Sequence, residues 1–177
     1  MAFTHRLASE EDIPALRALM TRAIESLQTD FLTPAQVKAS HGTMGLDSQL
    51  VADRTYFVVE EDGVPAGCGG WSWRATLFGG DASVIAREPR ALDPASEAAK
   101  IRAMYTEAAF ARRGVGRLVM DLCEAAASEA GFKRVEMMAT LAGAPLYRSC
   151  GYRVVEEVES PPVDGVTVPL LRMEKAL

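Results

Sequence analysis

Residues 99–139 hold the stretch that most narrows the folds open to this chain. Residues 99–106 read as a strand, apolar periodicity over 115–130 reads as a helix closed by Gly131, and 134–139 read as another strand. A strand, helix, strand unit requires a sheet with a helix laid on it. Between the first strand and the helix lies Ala111-Arg112-Arg113-Gly114-Val115-Gly116-Arg117.

That position gives the glycine pair its meaning. The first turn of a helix leaves backbone N–H groups without intrahelical acceptors and carries the positive end of the dipole, while glycine lets an anion approach the main chain. Arg112, Arg113 and Arg117 add charge, and no Asp or Glu falls between Ala108 and Met120. In a chain of formal net charge -5, this is a concentrated positive patch suited to a pyrophosphate. The plainer alternative is a glycine-opened helix with solvated arginines. A dinucleotide fingerprint fits poorly, because Val119 stands where the third glycine belongs. A phosphate-loop nucleotide site fails for want of a Gly-Lys-Ser or Gly-Lys-Thr ending.

The remaining segments fall around this unit. Residues 3–7 read as an opening strand, and Ser9 with Asp12 forms a capping-box pattern before a helix whose core face carries Ile13, Leu16, Leu19, Met20, Ile24 and Leu27. Thr33 and Pro34 start a second helix that stops near Gly42. Residues 56–59 and 64–73 flank Glu61-Asp62-Gly63 as a hairpin. In its second strand Gly67, Gly69 and Gly70 mark either a bulge or close packing. Residues 74–95 read as a long surface loop, 144–150 as a short helix ending at Gly151, and 152–158 with 166–173 as a terminal strand pair.

At 177 residues, 49% hydrophobic and 24% charged, the chain can bury one sizeable core, so a single domain over residues 1–177 is expected. Its acidic balance argues against a broad nucleic-acid surface. No apolar segment is long enough to cross a bilayer, and the amino terminus lacks a basic stretch leading into an apolar run, so the expectation is a cytoplasmic protein without a membrane partner. Cys68, Cys123 and Cys150 lack Cys-x-x-Cys spacing and His5 and His41 form no ligand cluster with them, which disfavours disulfides and any metal site.

The loop resembles the pyrophosphate loop of the GCN5-related N-acetyltransferase (GNAT) family, which runs Arg or Gln, two residues, Gly, one residue, then Gly or Ala. The glycines fit at Gly114 and Gly116, with Ala111 in the first position. Ala144-Pro145-Leu146-Tyr147-Arg148-Ser149-Cys150-Gly151-Tyr152 resembles the late helix and strand start that carry the family's tyrosine. Ala142 stands nearest the place where many members have Asn. The resemblance is strong over residues 101–152 and weaker over nearly the whole chain.

It implies an α/β (α+β) fold with one mixed, largely antiparallel sheet flanked by helices, splayed beside the strand over 101–106. It also implies acetyl-CoA as cosubstrate, CoA as product, and a small-molecule or peptide amine as acceptor. By the same analogy Tyr105 and Thr106 supply main-chain hydrogen bonds to the pantetheine arm. Arg112, Arg113, Gly114, Val115, Gly116 and Arg117 hold the pyrophosphate, and Tyr147 protonates the departing thiolate. A phenol of ordinary pKa about 10 stays protonated at neutral pH and suits that task. Tyr105 reads equally as a half-buried strand aromatic, and the alternative for Tyr147 is a core tyrosine hydrogen-bonded to backbone.

Trp71, Trp73 and Phe78 are candidates for an aromatic substrate wall or for simple core residues. The base is not assigned among Glu60, Glu61, Glu107, Asp81 and His41. A homodimer through the terminal strands is an option that the resemblance leaves open. Two other readings stand beside the enzyme: a non-catalytic acyl-CoA-binding or sensor module, and a nucleotide-binding oxidoreductase that the absent third glycine disfavours.

Overall fold

The structure is a computed structural model that describes residues 2–177. Strand β1 (Thr4–Leu7) leads through a 3-10 turn at Glu10–Asp12 into α1 (Ile13–Leu27). The backbone N–H of Ser9 donates to Asp12 Oδ2 at 2.7 Å, completing the expected capping box. Leu16, Leu19, Met20, Ala23 and Ile24 are buried on α1, and Ile13 and Leu27 pack at the rim of the same cluster. Helix α2 (Pro34–Ser40) starts on Thr33, whose Oγ1 accepts from the Gln36 N–H at 3.2 Å.

A third helix, α3 (Ser48–Ala52), has no counterpart in the sequence reading, because five residues are too few for a period to register. Its one sequence signal is Asp47, which accepts from the Gln49 N–H at 3.0 Å as an N-cap. Strands β2 (Tyr56–Glu61) and β3 (Val64–Ser72) form the expected hairpin. Asp62 at φ 52° and Gly63 at φ 78° take the two left-handed turn positions that match the twist of a hairpin.

Strand β4 (Ala99–Thr106), helix α4 (Val115–Glu129) and strand β5 (Arg134–Thr140) make the strand, helix, strand unit. Helix α5 (Ala144–Ser149) and strands β6 (Arg153–Glu159) and β7 (Pro169–Ala176) complete the chain. The last strand begins three residues later than the sequence reading put it, because Val163 and Val166 close a turn first. Residues 74–95 are irregular as expected, yet pinned at their base by the Arg74–Ala91 bridge.

The seven strands run β1-β2-β3-β4-β5-β7-β6 in one sheet. Every neighbouring pair is antiparallel except β4 with β5. Helices α1 and α3 cover one face, with Leu16, Leu50 and Val51 in one cluster with Tyr56 of β2; α4 and α5 cover the other through Val119, Met120 and Tyr147.

Strand β4 carries one residue too many for its partner. Cys68 faces Tyr105 and Gly70 faces Arg102, so Ala103 and Met104 together oppose Gly69. Ala103 sits at φ 51°, and its carbonyl accepts from Tyr56 Oη at 2.6 Å. Both readings of the glycine cluster hold at once. A Cβ on Gly69 would collide with the Met104 side chain, and one on Gly67 would lie 2.5 Å from Val115 Cγ1 of α4.

The bulge bends β4. Its parallel pairing with β5 covers only Ala99 with Val135 and Lys100 with Glu136, after which the two strands diverge.

The same bulge turns Arg102 toward α3, where its Nη2 donates to Asp47 Oδ2 at 3.1 Å and to Gly79 O at 2.8 Å, while Nη1 donates to Thr76 O at 3.1 Å. Burial pulls the Arg102 pKa down, opposed by Asp47. Asp47 also holds Arg87 at 2.9 Å, so one carboxylate ties α3, β4 and the 74–95 loop together. Asp47→Ala should therefore cost about 3–5 kcal/mol in urea unfolding by stranding a buried cation. Arg102→Met should cost clearly less, since Asp47 keeps Arg87; equal costs would remove the pair from this role.

Candidate active site

Where β4 and β5 part, a cavity of about 300 Å³ passes between them and reaches both faces of the sheet. On the α4 and α5 side it is walled by Gly116, Val119, Gly143, Leu146 and Tyr147; on the α1 side by Ile24, Leu27, Met44 and Tyr105.

On the α4 side, Gly116 brings the 111–117 loop to the cavity. Arg112 at φ 64° and Gly114 at φ 89° turn the chain left-handed twice before α4 begins at Val115. No backbone N–H from Arg112 to Arg117 makes a well-formed hydrogen bond among the described residues; the ladder starts at Leu118, bonded to Gly114 O at 3.0 Å. These N–H groups lie at the positive end of a 15-residue helix, a place suited to phosphate oxygens.

The two glycines act differently. Gly114 is required for its left-handed conformation and faces open space, whereas a Cβ on Gly116 would meet Leu146 Cδ2 at 2.5 Å. Gly116 therefore lets the first turn of α4 touch α5.

The arginines are not equivalent. Arg113 reaches Glu61 at 3.1 Å, holding that carboxyl below its ordinary range, and lies over the rings of Phe3 and Phe110. Arg117 donates to Ser149 Oγ at 2.9 Å, linking α4 to α5. Arg112 has neither kind of partner among the described residues.

On β4, Glu107 N–H donates to Ala66 O at 2.9 Å, so the alternation of the ladder aims the Tyr105 main chain at β3 and the Met104 and Thr106 main chains at the gap. Of the two expected backbone contacts, the Thr106 main chain thus turns to the gap with that of Met104, and the Tyr105 main chain turns to β3. Tyr105 contributes its ring instead. Its Oη accepts from Gly45 N–H at 2.8 Å on the α1 side.

Tyr147 is 8% exposed and lines the cavity. Its hydroxyl makes no hydrogen bond among the described residues, and burial raises its pKa, so the phenol is a proton donor at neutral pH and not a base. A Cβ on Gly143 would lie 2.7 Å from Tyr147 Cε2 and 3.1 Å from its Oη. Gly143 went unnoticed in the sequence; a glycine one turn before the tyrosine, just ahead of Ala144-Pro145, was the available signal.

Of the three expected wall aromatics, only Phe78 lines the cavity. Trp71 is buried on the α4 face with its ring 6.1 Å from that of Phe132, and Trp73 carries the Arg74 guanidinium at 4.1 Å. Alternation along β3 sends Trp71 to the α4 face, which explains the miss. None of the base candidates lines the cavity either. Glu60 is held by Arg6 at 2.8 Å, Glu107 by Arg22 at 2.6 Å and Asp81 by Arg17 at 2.9 Å. Asp81 and His41 border a neighbouring depression that shares Ile24, Met44 and Gly45 with the cavity. Burial pushes the Cys68 thiol up to about 12 and the Cys123 thiol higher, so neither supplies a thiolate. No helix is long and apolar enough to cross a membrane, and no metal-ligand cluster is found among the described residues.

The model of the acetyltransferase (GNAT) family matches residues 18–152. Among solved structures, a GCN5-related N-acetyltransferase from Rhodopseudomonas palustris superposes with a TM-score of 0.72 at 19% identity, over 100% of this chain and 97% of that one. The PaiA N-acetyltransferase of Thermoplasma acidophilum, solved with coenzyme A, gives 0.64 at 12% identity over 100% of both chains. A ribosomal-protein-alanine N-acetyltransferase from Brucella melitensis gives 0.65 at 19% identity over 98% of this chain and 99% of that one. No curated protein matches the sequence. With the family model covering most of its length, the chain belongs to the acetyltransferase (GNAT) family, whose acetyl donor is acetyl-CoA.

Proposed function

We propose that this chain transfers the acetyl group of acetyl-CoA directly to an amine, with Tyr147 as the proton donor to the departing thiolate. The observation that carries the reading is the split sheet: its cavity is lined by Gly116, from the 112–117 loop whose N–H groups are unpartnered, and by Tyr147, whose hydroxyl is free. The loop binds the pyrophosphate through main-chain N–H groups with Arg112 adding charge, and the pantetheine arm pairs with the Met104 and Thr106 main chains as an added strand would.

The chemistry then follows from the groups at hand. A neutral amine attacks the thioester carbonyl, the C–N bond forms, and as the C–S bond breaks the sulfur takes a proton from Tyr147. Direct transfer is favoured over a covalent relay because burial keeps the Cys68 and Cys123 thiols protonated. One observation supports the sensor reading instead, namely that no carboxylate or imidazole lines the cavity. Turnover with an amine library separates the two.

Tyr147→Phe should lower kcat by about a hundredfold or more while leaving the acetyl-CoA Kd near its original value, because the lost hydroxyl makes no structural hydrogen bond. An unchanged kcat would take Tyr147 out of the reaction. Gly143→Ala, at a backbone φ of -81° that any residue tolerates, should lower kcat by displacing the Tyr147 ring alone. If Gly143→Ala keeps full activity, the ring's position is not what the glycine protects.

A thermal-shift titration compares acetyl-CoA with NADH and ATP. At a hundredfold its Kd, a ligand stabilises by about 2.7 kcal/mol, a shift of several degrees for a chain of this size. Acetyl-CoA alone should produce it; a shift with NADH or ATP alone would contradict the cofactor assignment.

A further inference from the structure

We infer that the acceptor is a weakly basic amine on a flat apolar body, an arylamine in chemical class, already neutral at pH 7 when it reaches the cavity. The inference rests on the acetyl-transfer reading and deepens it. Beyond the β4 and β5 gap, the α1-side half of the cavity is walled by Ile24, Leu27, Met44, Phe78, Met138 and Leu170. Methionines reshape around a ligand at small cost, and a phenyl ring offers its face or edge to another ring.

The polar groups in that half are uncharged: the Gln28 amide, the Thr43 hydroxyl and the Tyr105 phenol, whose oxygen is occupied by Gly45 N–H and whose proton remains free to donate. The one formally charged side chain in the lining is Arg102, a cation. An aliphatic amine, of ordinary pKa about 10, would arrive as an ammonium ion. It would lose its hydration with no carboxylate to replace it, and would meet a guanidinium already tied to Asp47 at 3.1 Å.

The neighbouring depression does not supply the missing anion. Its Asp81 is engaged by Arg17 at 2.9 Å, by Arg87 and by Ser48 N–H at 3.0 Å. Its His41 faces Glu25 at 3.7 Å, outside the cavity. The same lining offers no group to deprotonate an ammonium ion. An amine that is neutral in solution removes both difficulties at once. Its nitrogen lone pair forms the C–N bond, the C–S bond breaks, sulfur takes the Tyr147 proton, and the proton shed by nitrogen returns to the phenolate through solvent.

The test uses two isomers, p-toluidine, which is neutral at pH 7, and benzylamine, which is cationic, together with spermidine as a polycation. CoA release is followed with each, and acetyl-CoA binding is measured separately by calorimetry. At pH 7 kcat/KM for p-toluidine should exceed that for benzylamine by at least about tenfold, and the gap should narrow as rising pH neutralises benzylamine. Gln28→Glu, a near-isosteric change that installs a carboxylate, should move the ratio toward benzylamine by about tenfold. Equal or faster turnover of benzylamine or spermidine by the unaltered protein overturns the inference, as does acetyl-CoA binding without any acetylation of p-toluidine. Failure to bind acetyl-CoA sinks the underlying transferase reading instead.

Discussion

The single extra residue in β4 organises the molecule. A regular strand would keep Arg102 and Met104 on one face of the sheet. With Ala103 inserted, Arg102 turns to Asp47 while Met104 packs beside Gly69 under α4. The insertion leaves a carbonyl outside the ladder, and the Tyr56 hydroxyl satisfies it from within the core at 2.6 Å. A left-handed alanine is disfavoured by sterics, so it persists only because its surroundings fix it. What the bulge yields is divergence from β5, and hence a gap in a sheet that would otherwise be closed.

The charge distribution follows the same logic. A chain with an excess of acidic residues binds an anion only where it can exclude its own carboxylates. It does so by assigning Glu61 to Arg113 and Glu107 to Arg22, one on each flank of the loop. On the proposed reading the anion meets mainly backbone N–H, which carry no counter-charge to be competed for and follow the left-handed Arg112 and Gly114. Arg117 serves geometry as much as charge, since its bond to Ser149 fastens the helix that holds the loop to the helix that carries Tyr147.

What the sequence disclosed follows from how local each feature is. The strand, helix, strand unit and the loop glycines each depend on neighbours within a turn or two, so spacing and capping residues reveal them, whereas the α5 tyrosine is read from the resemblance. Helix α3 was hidden by its brevity, and the bulge at Ala103 by the fact that nothing in Ile101-Arg102-Ala103-Met104 looks unusual; its trace lay on the partner strand, in Gly67, Gly69 and Gly70. The resemblance implies a main-chain role for Tyr105, but which main chains face the gap depends on the ladder phase set by Glu107 and Ala66. Trp71 and Trp73 went astray for a related reason: aromatic character says that a residue is buried, and only the pleat says on which face.

The two halves of the cavity therefore differ in kind. The half facing α4 and α5 is lined from within residues 104–119 and 142–147, two short segments. The acceptor half is assembled from α1, the turn after α2, the 74–95 loop and two strands far apart in sequence, brought together through Asp47, Arg102 and Arg87. Each of those segments looks ordinary alone. An isolated Gln28 or Met138 carries no motif, and it is only their convergence that defines a largely apolar chamber without a carboxylate among the described residues. The form of that half is thus a property of tertiary packing around one buried ion pair.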